Sequence, residues 1–296
     1  MAHEVYALIR KTIEEWLEDG VSNLAAALAY YTVFSLAPLL IIAIAVAAFF
    51  FSDRSAVHDQ LMAQIRGLVG SNGAELVGEM LDNSAQDNRS LIASLIGFGA
   101  LLFGATGVFA QLQSALNHVW GVKPKSEGIT AIIKVRTLSF AMVLAIGFLL
   151  LVSLIISTVL SSVDAYFLNN LPGGELLARV LSLIISFGLI TLLFALIYKV
   201  LPDAEIQWRD VWIGAAVTAL LFTIGKYLIG LYLGNSSVSN AYGAAGSLVV
   251  LLLWIYYSAQ ILLLGAEFTQ VYARRYGMQI RSANHAAEIV EQSQST

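Results

Sequence analysis

Three polar side chains stand inside long apolar stretches of this sequence. Gln260 and Glu267 lie in the apolar run 244–269, and Lys226 interrupts a second apolar run that ends near residue 233. A carboxylate in such surroundings needs a cation or a basic side chain as its partner, whereas an ammonium group can hold a phosphate or a carboxylate. These residues indicate binding chemistry in an apolar environment.

The residue types that hydrolytic enzymes use are scattered or absent. A metal-dependent nuclease needs clustered His and Asp ligands, and the chain has four histidines in different segments and no cysteine. Walker A, GxSxG and HExxH motifs are also missing. The net charge of -4 is spread along the chain without a basic stripe, which argues against a nucleic-acid partner. We therefore expect no enzymatic activity, no metal and no cofactor.

The composition identifies the elements that must position these side chains. Hydrophobic residues make up 58% and charged residues 12% of the chain, and the mean hydropathy is +0.77. Soluble domains have about half apolar and a quarter charged residues, so we expect an all-α polytopic membrane protein. One membrane domain, residues 22–276, has six predicted transmembrane helices. They cover about residues 24–51, 91–112, 137–160, 180–198, 211–233 and 244–268.

Three further segments lie outside the predicted spans. Residues 1–21 place apolar side chains at helical spacing opposite acidic ones, which predicts an amphipathic interfacial helix on the membrane surface. Residues 53–88 predict an extracytoplasmic helical hairpin, and residues 277–296 a polar cytoplasmic tail. Eleven Lys and Arg residues fall in the N-terminal segment, loops two and four and the C-terminal segment, against four in the other loops. The positive-inside rule therefore places both termini in the cytoplasm.

With this orientation, polar side chains gather at one depth, in the cytoplasmic half of the bundle or at its rim. Tyr256, Gln260 and Glu267 also share one helix face, because they are spaced by 4 and 7 residues. We expect Glu267 to meet Arg136, Lys199 or Arg209. The candidate residues for a substrate or cavity are Tyr30, Tyr31, Pro38, Gln111, Gln113, Lys226, Tyr256, Gln260 and Glu267.

Four of these features have two interpretations each. Pro38 predicts either a packing kink or a broken helix that opens backbone carbonyls to a cavity. Lys226 either extends towards the headgroups or faces the bundle interior. Glu267 is either a rim carboxylate in contact with water or part of a cavity that takes a polar headgroup or couples to a cation. The GxxxG pair Gly230 and Gly234 is more typical of close helix packing than of function.

Several sequence runs resemble a known family. They are LAAALAYYTVFSLAPL at residues 24–39, YGAAGS at 242–247, WIYYSAQ at 254–260 and GAEF at 265–268. These runs resemble the YihY/virulence factor BrkB family, and the resemblance extends over nearly the whole chain. It implies a six-helix, multi-pass protein of the bacterial inner membrane. Family members have been linked to serum resistance, envelope lipid export and ion tolerance, and many carry an old label of ribonuclease BN.

Two classes of function fit these observations. The first is a transporter or permease that moves a lipid, an amphipathic molecule or an ion through a cytoplasm-facing polar cavity. Membrane lipid is then the partner, with a lipid or an ion as substrate. The alternative is a non-transporting scaffold or assembly factor of the envelope, with the outer hairpin as its partner surface. A scaffold would fill the space beside Tyr30, Gln111, Gln260 and Glu267 with apolar side chains.

Overall fold

A computed structural model gives the structure of the protein. It describes residues 2–50, 59, 62–63, 65–66, 74–79, 107–124, 137, 141, 174–235, 245–276, 281–282 and 286–288. Most of the predicted spans 91–112 and 137–160 therefore lies outside the described residues. So do Arg136 and most of the predicted hairpin 53–88, in which residues 74–79 are helical. The described residues are overwhelmingly helical, which confirms the all-α class, and the number of spans stays a prediction.

Six helical segments organise the described part of the chain. Their bounds are Ala2–Glu18 (α1), Val21–Phe50 (α2), 107–119 (α3), Gly174–Val200 (α4), Trp208–Asn235 (α5) and Gly246–Tyr276 (α6). Three stretches within α4, α5 and α6 are long and apolar enough to cross a membrane: Val180–Val200, Trp208–Tyr232 and Gly246–Tyr276. A shorter apolar stretch, Val21–Leu36, lies in α2. These helices agree with four of the predicted spans in position.

Helix α2 is helical through Pro38 and ends only at Phe50. A proline inside a helix removes one backbone hydrogen bond. A membrane helix tolerates this loss when groups from neighbouring helices bond to the backbone carbonyl that is left free. The backbone of α2 thus has no interruption at this residue. The side chain of Pro38 lies outside the described side chains, so its place relative to a cavity stays a prediction.

Helix α6 lies at the centre of the described bundle, where it packs against α1, α2 and α5, while α4 packs on α5. Two glycines permit the closest approach. A Cβ at Gly214 of α5 would lie 1.8 Å from Thr269 Oγ1, and a Cβ at Gly265 of α6 would lie 1.9 Å from Thr218 Oγ1. Each helix therefore presents a glycine to a threonine of the other, a small-residue crossing typical of membrane helices.

Helix α1 is amphipathic, as predicted from its periodicity, and packs on α6 through one side. Leu8 and Thr12 are buried, whereas Val5, Ile9 and Leu17 are exposed on a neighbouring side. Gly20, with φ 58°, makes the turn into α2, and this left-handed conformation favours glycine. The expected position of α1 on the membrane surface stays a prediction.

Four short strands lie near the helix ends. Val122–Pro124 (β1) follows α3 and pairs antiparallel with Ala286–Glu288 (β4). Ala204–Glu205 (β2) pairs in the same way with Arg281–Ser282 (β3). Parts of the predicted polar tail 277–296 are therefore paired with the segments that follow α3 and α4.

Candidate functional site

A cavity of about 510 Å³ lies between the helices, within the usual size range of small-molecule sites. Side chains from α2 to α6 line it, together with Ile65 and Val77 of the segment between α2 and α3. The lining is apolar and includes Leu28, Val108, Phe194, Phe222, Leu251 and Trp254. The hydroxyls of Thr32 and Ser258 also lie on the wall, but each donates to a carbonyl oxygen of its own helix, at 2.7 and 2.9 Å. The cavity can therefore accommodate hydrocarbon.

Lys226 of α5 also lines this cavity. Its side chain is half-buried, and its Nζ lies 5.5 Å from the centre of the Tyr227 ring. Among the described residues no acidic side chain forms an ion pair with Lys226. Lys226 is thus the lysine on the wall of an apolar cavity, and its orientation towards the bundle interior stays a prediction.

The other described residues predicted to line a cavity lie elsewhere. Tyr30 and Tyr31 are 59% and 43% exposed, and their rings meet edge to face at 5.7 Å between centroids. Gln260 donates to Tyr256 Oη at 2.7 Å, one helical turn away. Gln111 is half-buried. The described cavity is therefore apolar, because Tyr30, Tyr31, Gln111, Tyr256 and Gln260 do not line it.

Gln113 belongs to a buried polar cluster that we define as Gln113, Asn117 and Asp203. Gln113 Nε2 and Asn117 Nδ2 donate to Asp203 Oδ2, at 3.2 and 3.0 Å. In return, the backbone N of Asp203 donates to Asn117 Oδ1 at 2.8 Å. The cluster joins the end of α3 to the Leu201-Pro202-Asp203 turn after α4. Its hydrogen bonds make it a structural connection between two helix ends, since buried polar groups are stable when paired.

Glu267 is fully buried at 0% exposure, and neither of its carboxylate oxygens accepts a hydrogen bond from the described residues. The charged groups that act on it are Asp19, Glu15 and Arg274. Asp19 lies in the turn between α1 and α2. Burial raises the pKa of Asp19, and the neighbouring Glu15 raises it further, although His118 and Arg274 oppose this. Glu267 therefore lies among carboxylates.

The two described candidates for the basic partner of Glu267 are placed differently from the prediction. Lys199, at the end of α4, donates to the carbonyl oxygen of Ile206 and lies 5.8 Å from the Trp208 ring centroid. Arg209 is exposed at the start of α5. Neither residue forms a hydrogen bond with Glu267, whose carboxylate oxygens have no partner among the described residues.

The sequence that forms this membrane bundle matches a known protein family. The model of the family described as virulence factor BrkB matches residues 12–290. The chain belongs to the BrkB family. The match includes α2 to α6, the buried polar cluster and Glu267, so these features lie within the family region. No solved structure matches the chain.

Relatives of this BrkB-family chain are bacterial membrane proteins. A UPF0761 membrane protein of Ralstonia nicotianae is 31% identical over 88% of this chain and 57% of the relative. One from Saccharophagus degradans is 32% identical over 88% of this chain and 58% of the relative. This chain thus spans under two thirds of those two relatives. One from Psychromonas ingrahamii is 30% identical over 85% of this chain and 82% of the relative.

Two connections in this BrkB-family bundle could not be read from the sequence. Tyr198 Oη donates to the carbonyl oxygen of Leu262 at 2.6 Å and lies 3.0 Å from Thr218 Oγ1. Gln270 Nε2 donates to the carbonyl oxygen of Val119 at 2.6 Å. The sequence signal for the contact at Thr218 is the G-x-x-x-T spacing at 214–218, which is repeated at 265–269. In the described residues, no group of three His, Cys, Asp or Glu could hold a metal ion.

Proposed function

We propose that this membrane protein is a transporter or permease for an anionic amphipathic lipid, whose hydrocarbon enters the cavity and whose acidic headgroup binds Lys226. The observation that carries the proposal is the combination of an apolar cavity with one lysine on its wall. Hydrocarbon chains are favourable occupants of apolar space, and an ammonium group provides the charge that a phosphate or carboxylate needs.

The position of Lys226 supports an amphipathic rather than a purely apolar occupant. Along α5 the lysine lies six residues before Tyr232, where the apolar stretch ends, which is about 9 Å of helical rise. A lipid headgroup held at Lys226 would be close to one membrane surface, while the hydrocarbon chain of the same lipid reaches towards α6 and α4. Lys226 could then hold the charge without burying it at the centre of the bilayer.

The same cavity argues against an ion as the main substrate. An ion that leaves water needs polar groups along its path, since an unpaired charge in an apolar environment is costly. The two hydroxyls on the wall are turned to their own backbone, so Lys226 is the polar group available among the described lining residues. The space beside Tyr30, Gln111, Gln260 and Glu267, which the scaffold alternative requires to be filled with apolar side chains, is not part of this cavity. The binding experiment below distinguishes the two functions.

The test is to purify the protein with its native lipids and to identify the retained lipids by mass spectrometry. We expect anionic lipid to be enriched over its share of the source membrane. Lys226→Met should abolish that enrichment, whereas Lys226→Arg, which keeps the charge, should preserve it. Leu193→Trp, which places a larger side chain on the cavity wall, should reduce the total lipid retained per protein.

The matched control for the larger side chain is Leu228→Trp, because Leu228 is 57% exposed on the same bundle and does not line the cavity. This variant should retain lipid as the unmodified protein does. If the retained lipid has the composition of the source membrane and neither Lys226→Met nor Leu193→Trp changes it, the cavity does not select a lipid. The scaffold function would then be preferred.

The orientation and localisation are part of the same proposal. We infer an inner-membrane protein with both termini in the cytoplasm, which is supported by the distribution of Lys and Arg. The Lys226 end of the cavity would then lie near the outer surface, and Glu267 near the inner one. A topology reporter fused at Ser71 should read as extracytoplasmic, and a cytoplasmic reading would overturn this orientation.

A further inference from the structure

Glu267 raises a separate question, which does not depend on the lipid cavity. The residue lies in α6, and its side chain has 0% exposure. Neither carboxylate oxygen has a hydrogen-bond partner among the described residues. An ionised carboxylate buried in this way loses its hydration without compensation, which is among the most costly arrangements in a protein. Something must neutralise or bind this group.

The charged and titratable groups near Glu267 belong to three parts of the structure, namely the end of α1 with the turn after it, α6 itself and α3. From the α1 side come Glu15 and Asp19, and Asp19 lies within hydrogen-bond reach of Glu267. From α6 itself comes Arg274, which is exposed and lies 3.9 Å from Glu15 Oε2 rather than against Glu267. From α3 comes His118, which is exposed and acts on Asp19. Arg274 and His118 therefore lie on the exposed side of the group.

Two ionised carboxylates cannot form a hydrogen bond, because both are acceptors. One retained proton changes this, since the protonated carboxyl donates to the other and removes one negative charge from the buried site. We propose that Asp19 and Glu267 form a proton-binding pair, which shares one proton at neutral pH and thereby joins the α1–α2 turn to α6. The ligand of this site is the proton itself.

The pair has a consequence for α1. This helix packs against α6, and Asp19 follows directly after the helix end at Glu18. Loss of the shared proton would leave two adjacent carboxylates, one buried and one half-buried, with Glu15 as a third nearby. Repulsion between them acts to separate α1 from α6. The docking of α1 therefore depends on proton binding, and alkaline conditions weaken it.

The experiment is infrared spectroscopy of the full chain in lipid nanodiscs, since a protonated carboxyl and a carboxylate absorb at different frequencies. The chain has 20 Asp and Glu residues, and the exposed ones are ionised at pH 7. We expect a protonated-carboxyl band at pH 7 that disappears at higher pH. Glu267→Gln should remove the band at pH 7. Asp19→Asn should lower the pH at which it disappears by about one unit, because a like charge is removed.

The second measurement is hydrogen exchange of the α1 backbone amides on the same samples. Exchange over residues 8–16 should accelerate at high pH more than the intrinsic exchange rate does, and Glu267→Gln should suppress that excess. Glu205→Gln is the matched control, because Glu205 is an exposed carboxylate in β2, and it should change neither readout.

Three results would overturn the proposal. One is the absence of a protonated-carboxyl band at pH 7 in the unmodified protein, a measurement that needs no variant to fold. Another is the full band in Glu267→Gln. The third is α1 exchange with the same pH dependence in both proteins. Lipid retention in the Lys226 and Leu193 variants is measured separately, so either proposal can fail alone.

Discussion

The crossing of α5 and α6 leads to a quantitative prediction for Gly214→Ala. The new Cβ would lie 1.8 Å from Thr269 Oγ1 and 2.7 Å from Thr269 Cβ. Rotation about χ1 can move the hydroxyl away but not the Cβ. Because ordinary contact begins at 3.4 Å, the difference from 2.7 Å requires the helices to separate by about 0.7 Å. Overpacking of this kind costs about 1–3 kcal/mol.

The matched control is Gly230→Ala on the same helix, because a Cβ at Gly230 meets nothing within 4 Å. Both substitutions gain the same helix propensity, up to about 1 kcal/mol, so the difference between them isolates the contact. We expect Gly214→Ala to be less stable than Gly230→Ala by about 1–3 kcal/mol in equilibrium unfolding with a denaturing detergent in mixed micelles.

A rescue variant tests whether the contact itself causes the loss. Thr269→Gly removes all three atoms that the new Cβ would meet. In a double-mutant cycle, Gly214→Ala should therefore cost less in the Thr269→Gly background than in the unmodified protein. Equal stability of Gly214→Ala and Gly230→Ala would refute the close crossing of α5 and α6.

Three further predictions concern polar groups, and unfolding in mixed micelles measures all of them. Asn117→Ala should destabilise the protein more than Gln113→Ala, because it removes two hydrogen bonds to Asp203 instead of one, at about 1–3 kcal/mol for each group left unpaired; equal losses would contradict the cluster. Gln270→Ala should cost about 1–3 kcal/mol, since a buried carbonyl loses its donor, and a neutral effect would contradict that bond. Burial raises the pKa of Asp19, so this carboxyl group binds its proton more strongly in the folded chain than in the unfolded chain. The free energy of unfolding should therefore fall as the pH rises above 3.8. Asp19→Asn should make this pH dependence less steep, and an unchanged dependence would contradict the burial of Asp19 as its cause.

The long helices could be predicted because the bilayer imposes strong requirements on a sequence. A span must be apolar over about 20 residues, and the apolar stretches of α4 and α5 begin and end within a few residues of the predicted limits, as does the start of α6. Helix α6 continues to Tyr276, beyond the predicted end at 268, and its last two turns contain polar residues such as Gln270, Arg274 and Arg275. Hydropathy indicates where a helix crosses lipid but not where the helix itself ends.

The contacts between distant segments could not be predicted in the same way. Gln113 was identified as an unusual polar residue, but its partner Asp203 is 90 residues away and lies in a turn. A pattern within one helix contains no information about such a pair. The cavity has the same origin, since α2 to α6 and the segment that contains Ile65 and Val77 contribute to its wall, and no single segment encodes its shape.

A glycine motif in one helix does not by itself show where that helix lies close to another. Gly230 and Gly234 form the more familiar GxxxG pair, yet Gly230 has open space beside it. The close crossing instead uses Gly214 and Gly265, each four residues before a threonine of its own helix. Only the combination of both helices distinguishes this arrangement, because a single G-x-x-x-T spacing is common in membrane sequences.

The central place of α6 affects the order in which the protein is made. Translation proceeds from the N-terminus, so α1 to α5 emerge before the helix on which α1, α2 and α5 pack. The carbonyl oxygen of Val119 has no hydrogen bond from Gln270 until that residue is synthesised, 151 residues later. Until then the Tyr198 hydroxyl also lacks the carbonyl oxygen of Leu262, to which it donates in the complete bundle. The described bundle can therefore reach its final packing only after α6 has entered the bilayer beside α1, α2 and α5.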